Sequence, residues 1–150
     1  LIKLLCRLYQ PTEGTIFLDG VDLNEWNEKD LLGRISVVFQ DFNKYQLSVR
    51  ENVGVGQIQS IDNETQVRRA LDLGGAADLV KEMPNGLETS LGTWFNDGRE
   101  LSGGQWQKIA VSRAFMRENA DILILDEPTA ALDAEAESLA FRKFQELTVG

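Results

Sequence analysis

The residues best suited to chemistry in this chain are an acid pair, Asp126 and Glu127, directly after the aliphatic run Ile122-Leu123-Ile124-Leu125. Such a run reads as a short strand of a buried sheet. A strand of this kind delivers the residues that follow it to the carboxyl edge of the sheet, where open α/β sheets bind their ligands. There Asp126 can hold Mg²⁺, directly or through water, because the sheet fixes its position. Glu127 can accept a proton from an attacking water, since the metal does not consume it. The same pattern also describes a buried strand meeting a surface turn, where acids are common, and the acid pair alone does not separate the two.

A second constellation lies upstream: Leu101-Ser102-Gly103-Gly104-Gln105. Ser102 is a natural N-cap, and the two glycines leave backbone N–H groups accessible at a helix start. Such a terminus is an anion site that fits a phosphate. As bare chemistry it is equally an ordinary capped helix. As a string in this order, ahead of an aliphatic strand ending in acids, it is far more specific.

The elements that must position these groups are legible as a pattern. Leu1, Leu4, Leu5 and Leu8 fall at helical spacing, and the Pro11 to Gly14 turn ends that segment. Thr15-Ile16-Phe17-Leu18 reads as a strand, with Asp19-Gly20 as a tight turn into Val21-Asp22-Leu23. A short helical stretch surrounds Asp30-Leu31-Leu32, and Ile35-Ser36-Val37-Val38-Phe39 reads as a buried strand. Residues 45–100 form a mostly helical insert: Ser48 to Glu51 has capping-box spacing, and helices are expected at 64–73 and 76–82. A longer helix is expected from Ser102 to about Arg117, and Asp133 caps a final one.

Composition narrows the function classes. The net charge of −9 over 150 residues, with scattered Lys and Arg, argues against a nucleic-acid surface. Cys6 is the only cysteine and there is no histidine, which excludes an intrachain disulfide, a zinc cluster and every His-based triad. The four-residue aliphatic run at 122–125 is far short of the ~20 apolar residues that cross a bilayer. A membrane role must therefore come through a partner or another domain.

Taken together, these motifs resemble those of the ATP-binding cassette (ABC) ATPases, over essentially the whole chain. Leu101 to Gln105 looks like the family's signature motif and Ile122 to Thr129 like its Walker B strand and turn. Ala131-Leu132-Asp133 resembles the D-loop, and Gln40, at the end of an apolar strand, the Q-loop glutamine. The resemblance implies an α/β fold, a P-loop NTPase core sheet with a mostly helical subdomain, and ATP and Mg²⁺ as cofactors. It also implies roles. Gln40 would contact Mg²⁺ or the attacking water, Asp126 would serve the metal, and Glu127 would be the catalytic base. Ser102, Gly103, Gly104 and Gln105 would reach the γ-phosphate of ATP held by a second nucleotide-binding domain in a head-to-tail dimer, and Asp133 would cross that interface.

Pro11 to Leu23 and Ser48 to Val53 look like the exporter branch, which implies a transmembrane domain as partner and a place at the cytoplasmic face of a membrane. Exporters carry a T-x-x-G-E-x-G loop before the signature that touches the membrane domain. Here Thr89-Ser90-Leu91-Gly92 fits, but Thr93 to Gly98 replaces the Glu and runs longer. The phosphate loop G-x-x-x-x-G-K-[ST] and the switch histidine do not occur. The chain is thus expected to be incomplete at both ends, and alone to bind ATP weakly or not at all. The alternatives are a non-catalytic interaction remnant and a soluble ABC ATPase of repair or translation.

Overall fold

The computed structural model describes residues 1–94 and 96–126. The expected α/β architecture is present: two small β pairs and a cluster of helices around one long helix.

Helix α1 covers only Ile2–Leu5, shorter than the leucine spacing predicts. Arg7 adopts a left-handed conformation at φ 54°, and the N–H groups of Arg7 and Leu8 donate to the carbonyls of Leu4 and Lys3. This is a Schellman stop made without glycine. A non-local bond holds it, since Arg7 Nη1 donates to the Trp26 carbonyl at 2.9 Å. Leu1 and Leu8 are consequently exposed.

The hairpin follows the expected turn chemistry. Strands β1 (Phe17–Leu18) and β2 (Val21–Asp22) pair antiparallel. Asp19 and Gly20 both have positive φ, as a type I′ turn requires. Helix α2 (Glu28–Arg34) starts where the Asn27 side chain accepts from the N–H groups of Lys29 and Asp30. It runs directly into β3 (Ile35–Val38), which pairs in parallel with β4 (Ile122–Leu125) in one sheet.

Register is pinned at both ends of this pair, which is what places Asp126. At the entry, the Arg34 guanidinium binds Asp121 through Nε and Nη2 and also donates to Asp19 at 2.5 Å, while Asp121 N–H donates to the Arg34 carbonyl. At the exit, Asp126 N–H donates to the Val38 carbonyl at 2.9 Å. The two faces of the pair serve different cores. Ile35, Val37, Ile122 and Ile124 pack with Cys6, Leu23 and Leu31. Val38, Leu123 and Leu125 face the larger cluster built from the helices. Residues needed on both faces explain the unbroken aliphatic run.

That larger cluster is organised by α6 (Gly103–Ala114), packed against α3 (Val49–Gly54) and α4 (Glu64–Leu73), with α5 (Ala77–Lys81) beside them. Trp106, Ile109 and Val111 of α6 are fully buried. A Cβ at Gly56 would overlap the Arg113 carbonyl, and one at Gly74 would overlap the Ser112 backbone. These two glycines therefore permit the closest approaches to the far end of α6. The helix stops at Ala114, not at Arg117 as the sequence pattern suggests. Arg117 instead reaches across the molecule to the carbonyls of Leu32, Ile35 and Gly56, and that turns the chain toward β4.

The capping box expected at α3 is complete: Glu51 N–H donates to Ser48 Oγ, and the Glu51 carboxylate accepts from Ser48 N–H at 2.9 Å and its hydroxyl at 2.8 Å. The Ser48 N–H first, and its hydroxyl second, hold the Glu51 carboxyl below the usual carboxylate range. Arg34 does the same for Asp121, through its hydrogen bonds above all. Groups with a lowered folded pKa contribute fully above the ordinary carboxylate value, and that contribution is lost as pH falls through the folded values. Thermal melts from about pH 7 to about pH 2 are expected to show the midpoint dropping through that acid window. Glu51→Gln should flatten part of the slope; an unchanged slope would mean the cap carries no proton linkage.

Candidate functional site

The parallel pairing of β3 and β4 brings two of the sequence-predicted residues to one edge of the sheet. Gln40 lies two residues beyond the end of β3, exposed, and Asp126 is the first residue after β4, half-buried. The Asp126–Val38 backbone bond sets Asp126 alongside the segment that leads into Gln40. Glu127 and Asp133 lie outside the described residues.

The second constellation sits at the N-terminus of α6. Ser102 caps it: its Oγ accepts from Gln105 N–H at 3.3 Å, and its own N–H donates to Gln105 Oε1 at 3.0 Å. The string thus contains a capping box. Gln105 acquires a structural task that the sequence reading did not give it, and the Nε2 group is the part of its amide outside that box. Trp106 N–H donates to the Ser102 carbonyl, closing the first turn. The N–H groups of Gly103 and Gly104 precede the first intrahelical bonds and have no partner among the described residues. Ser102 and Gly103 are exposed, and a Cβ at Gly103 would meet nothing within 4 Å. Bare amides, a hydroxyl and the positive end of a twelve-residue helix form a surface suited to an anion approaching from outside the chain.

Magnesium fits the sheet edge on the chemistry of its donors. Mg²⁺ takes one or two carboxylates and completes its shell with phosphate oxygens and water. Asp126 and the Gln40 carbonyl oxygen are hard oxygen donors of that kind. Among the described residues no group of three or more His, Cys, Asp or Glu is placed to hold a metal ion.

Several residues that support this geometry were not singled out in the sequence. Arg34 and Asp121 immediately precede β3 and β4, and their pairing fixes the register that aligns the two strand ends. The signal was present as opposite charges at matching offsets from two apolar runs. The loop of residues 92–98 also has more attachment than its composition suggests. Leu91 and Arg99 form a bridge, Leu91 N–H donates to the Leu47 carbonyl, and Trp94 N–H donates to Gln46 Oε1 at 3.2 Å. The Trp94 side chain is left outside, the residue being 82% exposed. No helix among the described residues is long and apolar enough to cross a membrane.

Comparison with known proteins agrees with this fold. A family model described as ABC transporter matches residues 1–130. The subtilin transport ATP-binding protein of Bacillus subtilis is 43% identical over 147 residues, covering 98% of this chain and 24% of that protein. The nisin transport ATP-binding protein of Lactococcus lactis subsp. lactis is 44% identical over 148 residues, with 99% and 24% covered. Among solved structures, a bacterial Atm1-family ABC exporter with ATP bound superposes with a TM-score of 0.85 at 29% identity, over 98% of this chain and 25% of that one. The chain spans about a quarter of the length of the relatives it matches.

Proposed function

The chain belongs to the ABC transporter family, and from that membership we propose that it serves as the nucleotide-binding part of an exporter, coupling ATP binding and hydrolysis to movement of a substrate across a membrane. The observation that carries this reading is the parallel β3–β4 pairing that sets Gln40 and Asp126 on one sheet edge. The transport names of the matched relatives and the exporter structure support a membrane setting over a soluble repair or translation ATPase.

In this reading Asp126 and Gln40 would hold Mg²⁺, whose charge would offset charge on the phosphoryl oxygens. Glu127, next along the chain, takes the proton of the attacking water. The N–H groups of Gly103 and Gly104, with the Ser102 hydroxyl and the Gln105 amide, receive the γ-phosphate of ATP held by a second nucleotide-binding domain, head to tail. Asp133 would serve the same interface by its resemblance to the D-loop. The chain's own task is preorganisation: α6 presents its donors already aligned, so little reorganisation is needed when the phosphate arrives. A transmembrane domain completes the assembly, placing this part at the cytoplasmic face.

The test uses the full-length protein in lipid, with Mg-ATP hydrolysis as the readout. Asp126→Asn is expected to lower turnover by at least about a hundredfold and to weaken Mg²⁺ retention, shifting the Mg²⁺ dependence to higher concentration. Absence of hydrolysis by the unaltered protein, or unchanged Mg²⁺ dependence in the variant, would overturn the reading.

A further inference from the structure

Arg113 sits in the last turn of α6, and its guanidinium is directed into the molecule without a carboxylate. Nε donates to the Asn52 carbonyl at 2.9 Å; Nη2 donates to the Asn43 carbonyl at 3.3 Å and to Asn52 Oδ1 at 3.5 Å. The group also lies over the Tyr45 ring, 4.5 Å from its centroid. Its partners among the described residues are therefore neutral oxygens and a π face. Burial pushes its pKa down from the ordinary arginine value. A desolvated charge paired only with neutral groups is costly, and an apolar side chain of similar volume would fill the space without that cost. Filling space does not account for it.

What it holds is specific. Asn52 is fully buried, and its Nδ2 donates to the carbonyls of Tyr45, Leu47 and Ser48 at 3.0–3.1 Å. Arg113 and Asn52 thus grip residues 43–48 from two sides. That segment is the direct continuation of the chain from Gln40, and three residues can span no more than about 10 Å between Gln40 and Asn43. At the other end, Arg113 is joined to Ser102 by three turns of unbroken helix, about 16 Å long.

Resting on the ABC ATPase reading above, we infer that Arg113 is a positioning residue: through Asn52, Asn43 and the Tyr45 ring it locks the segment following Gln40 to α6, so that the Gln40 edge and the Ser102 end of the helix move as one body. The ATP-contacting residues named above do not include it. Its effect falls on whether the Gln40 edge, which serves this chain's own nucleotide, and the Ser102 end, which serves the nucleotide of the second domain, stand in register for the chemical step, and not on how tightly nucleotide binds.

A double-mutant cycle in the full-length protein tests this, with steady-state kcat and KM for Mg-ATP and a thermal melt on each variant. Arg113→Met and Tyr45→Leu are each expected to lower kcat about ten- to a hundredfold, with KM within about threefold of the unaltered protein. The double variant should be no worse than the poorer single one, because both cut the same link. Arg113→Lys, which keeps the charge but lacks the planar fork, should recover melting temperature without recovering kcat. Multiplicative effects in the double variant, full recovery of kcat by Arg113→Lys, or unchanged kcat per folded protein would each overturn the inference. Should Arg113→Met fail to fold, the cycle is run with Arg113→Lys and the same criterion applies. If the unaltered protein does not hydrolyse ATP, the functional reading fails; if it does and the cycle is multiplicative, only the Arg113 link fails.

Discussion

Glu127→Gln in the full-length protein is expected to arrest ATP turnover, lowering kcat by roughly 10²–10⁴-fold while affinity for Mg-ATP stays close to that of the unaltered protein. The substitution keeps the shape of the side chain and removes only the carboxylate that accepts the proton. Asp126, one residue earlier at the sheet edge, is untouched and keeps its backbone bond to Val38, so the proposed metal-binding side of the site should survive. Both copies of Ser102, Gly103 and Gly104 can still meet the partner's γ-phosphate. The ATP-loaded dimer should therefore accumulate. Single-turnover assays combined with size measurement, with and without Mg-ATP, check both halves of the expectation. Near-normal turnover would remove Glu127 from the role of base, whatever the dimer does.

The second large effect concerns Gly103. Glycine in a helix is destabilising by roughly 0.5–1 kcal/mol relative to alanine. Inside this chain nothing requires that cost, because a Cβ at Gly103 points into open space. Gly103→Ala should therefore leave thermal stability unchanged or raise it by up to about 1 kcal/mol. The same methyl group would stand between the first-turn amides and an incoming phosphate. A displacement of about 1 Å at such a contact can reduce rate a hundredfold, so turnover should fall by at least about tenfold, and further for Gly103→Val. Gain of stability with loss of activity separates an approach surface from an ordinary helix start. If Gly103→Ala is stable and fully active, the amides of α6 do not face the nucleotide.

How far the sequence carries depends on the distance over which each feature is decided. The caps of α3 and α6 were legible because they are local: Ser48 and Glu51 lie three residues apart, and Ser102 stands directly before its helix, although the sequence reading did not include the return bond to Gln105. The hairpin was legible because Asp19-Gly20 accepts the positive φ values that a two-residue turn needs. The end of α1 was not legible, since its stop depends on Arg7 reaching the Trp26 carbonyl. The end of α6 was misplaced for the same reason: Arg117 is spent on the carbonyls of Leu32, Ile35 and Gly56.

The candidate site divides along the same line. Asp126 and the Ser102 string could be singled out from local pattern. Their surroundings could not. The Arg34–Asp121 pair that aligns β3 with β4 spans 87 residues, and no local periodicity reports such a pairing. Arg113 was hidden differently: in a helix otherwise turned toward the core it reads as a solvated charge on the outer face, and only the folded chain shows it under Tyr45.

The loop of residues 92–98 is closed at its base by the Leu91–Arg99 bridge, where Gly92 N–H donates to the Arg99 carbonyl and Arg99 N–H donates to the Ser90 carbonyl. A loop tied off in this way has both ends fixed, with Trp94 N–H on Gln46 Oε1 as a further attachment. Doubling its length would cost only about 0.6 kcal/mol of closure entropy. Selection can therefore edit this tip by insertion and deletion as well as by substitution. Surfaces presented through it can change in length and composition apart from the Ser102 end of α6, which lies outside the loop.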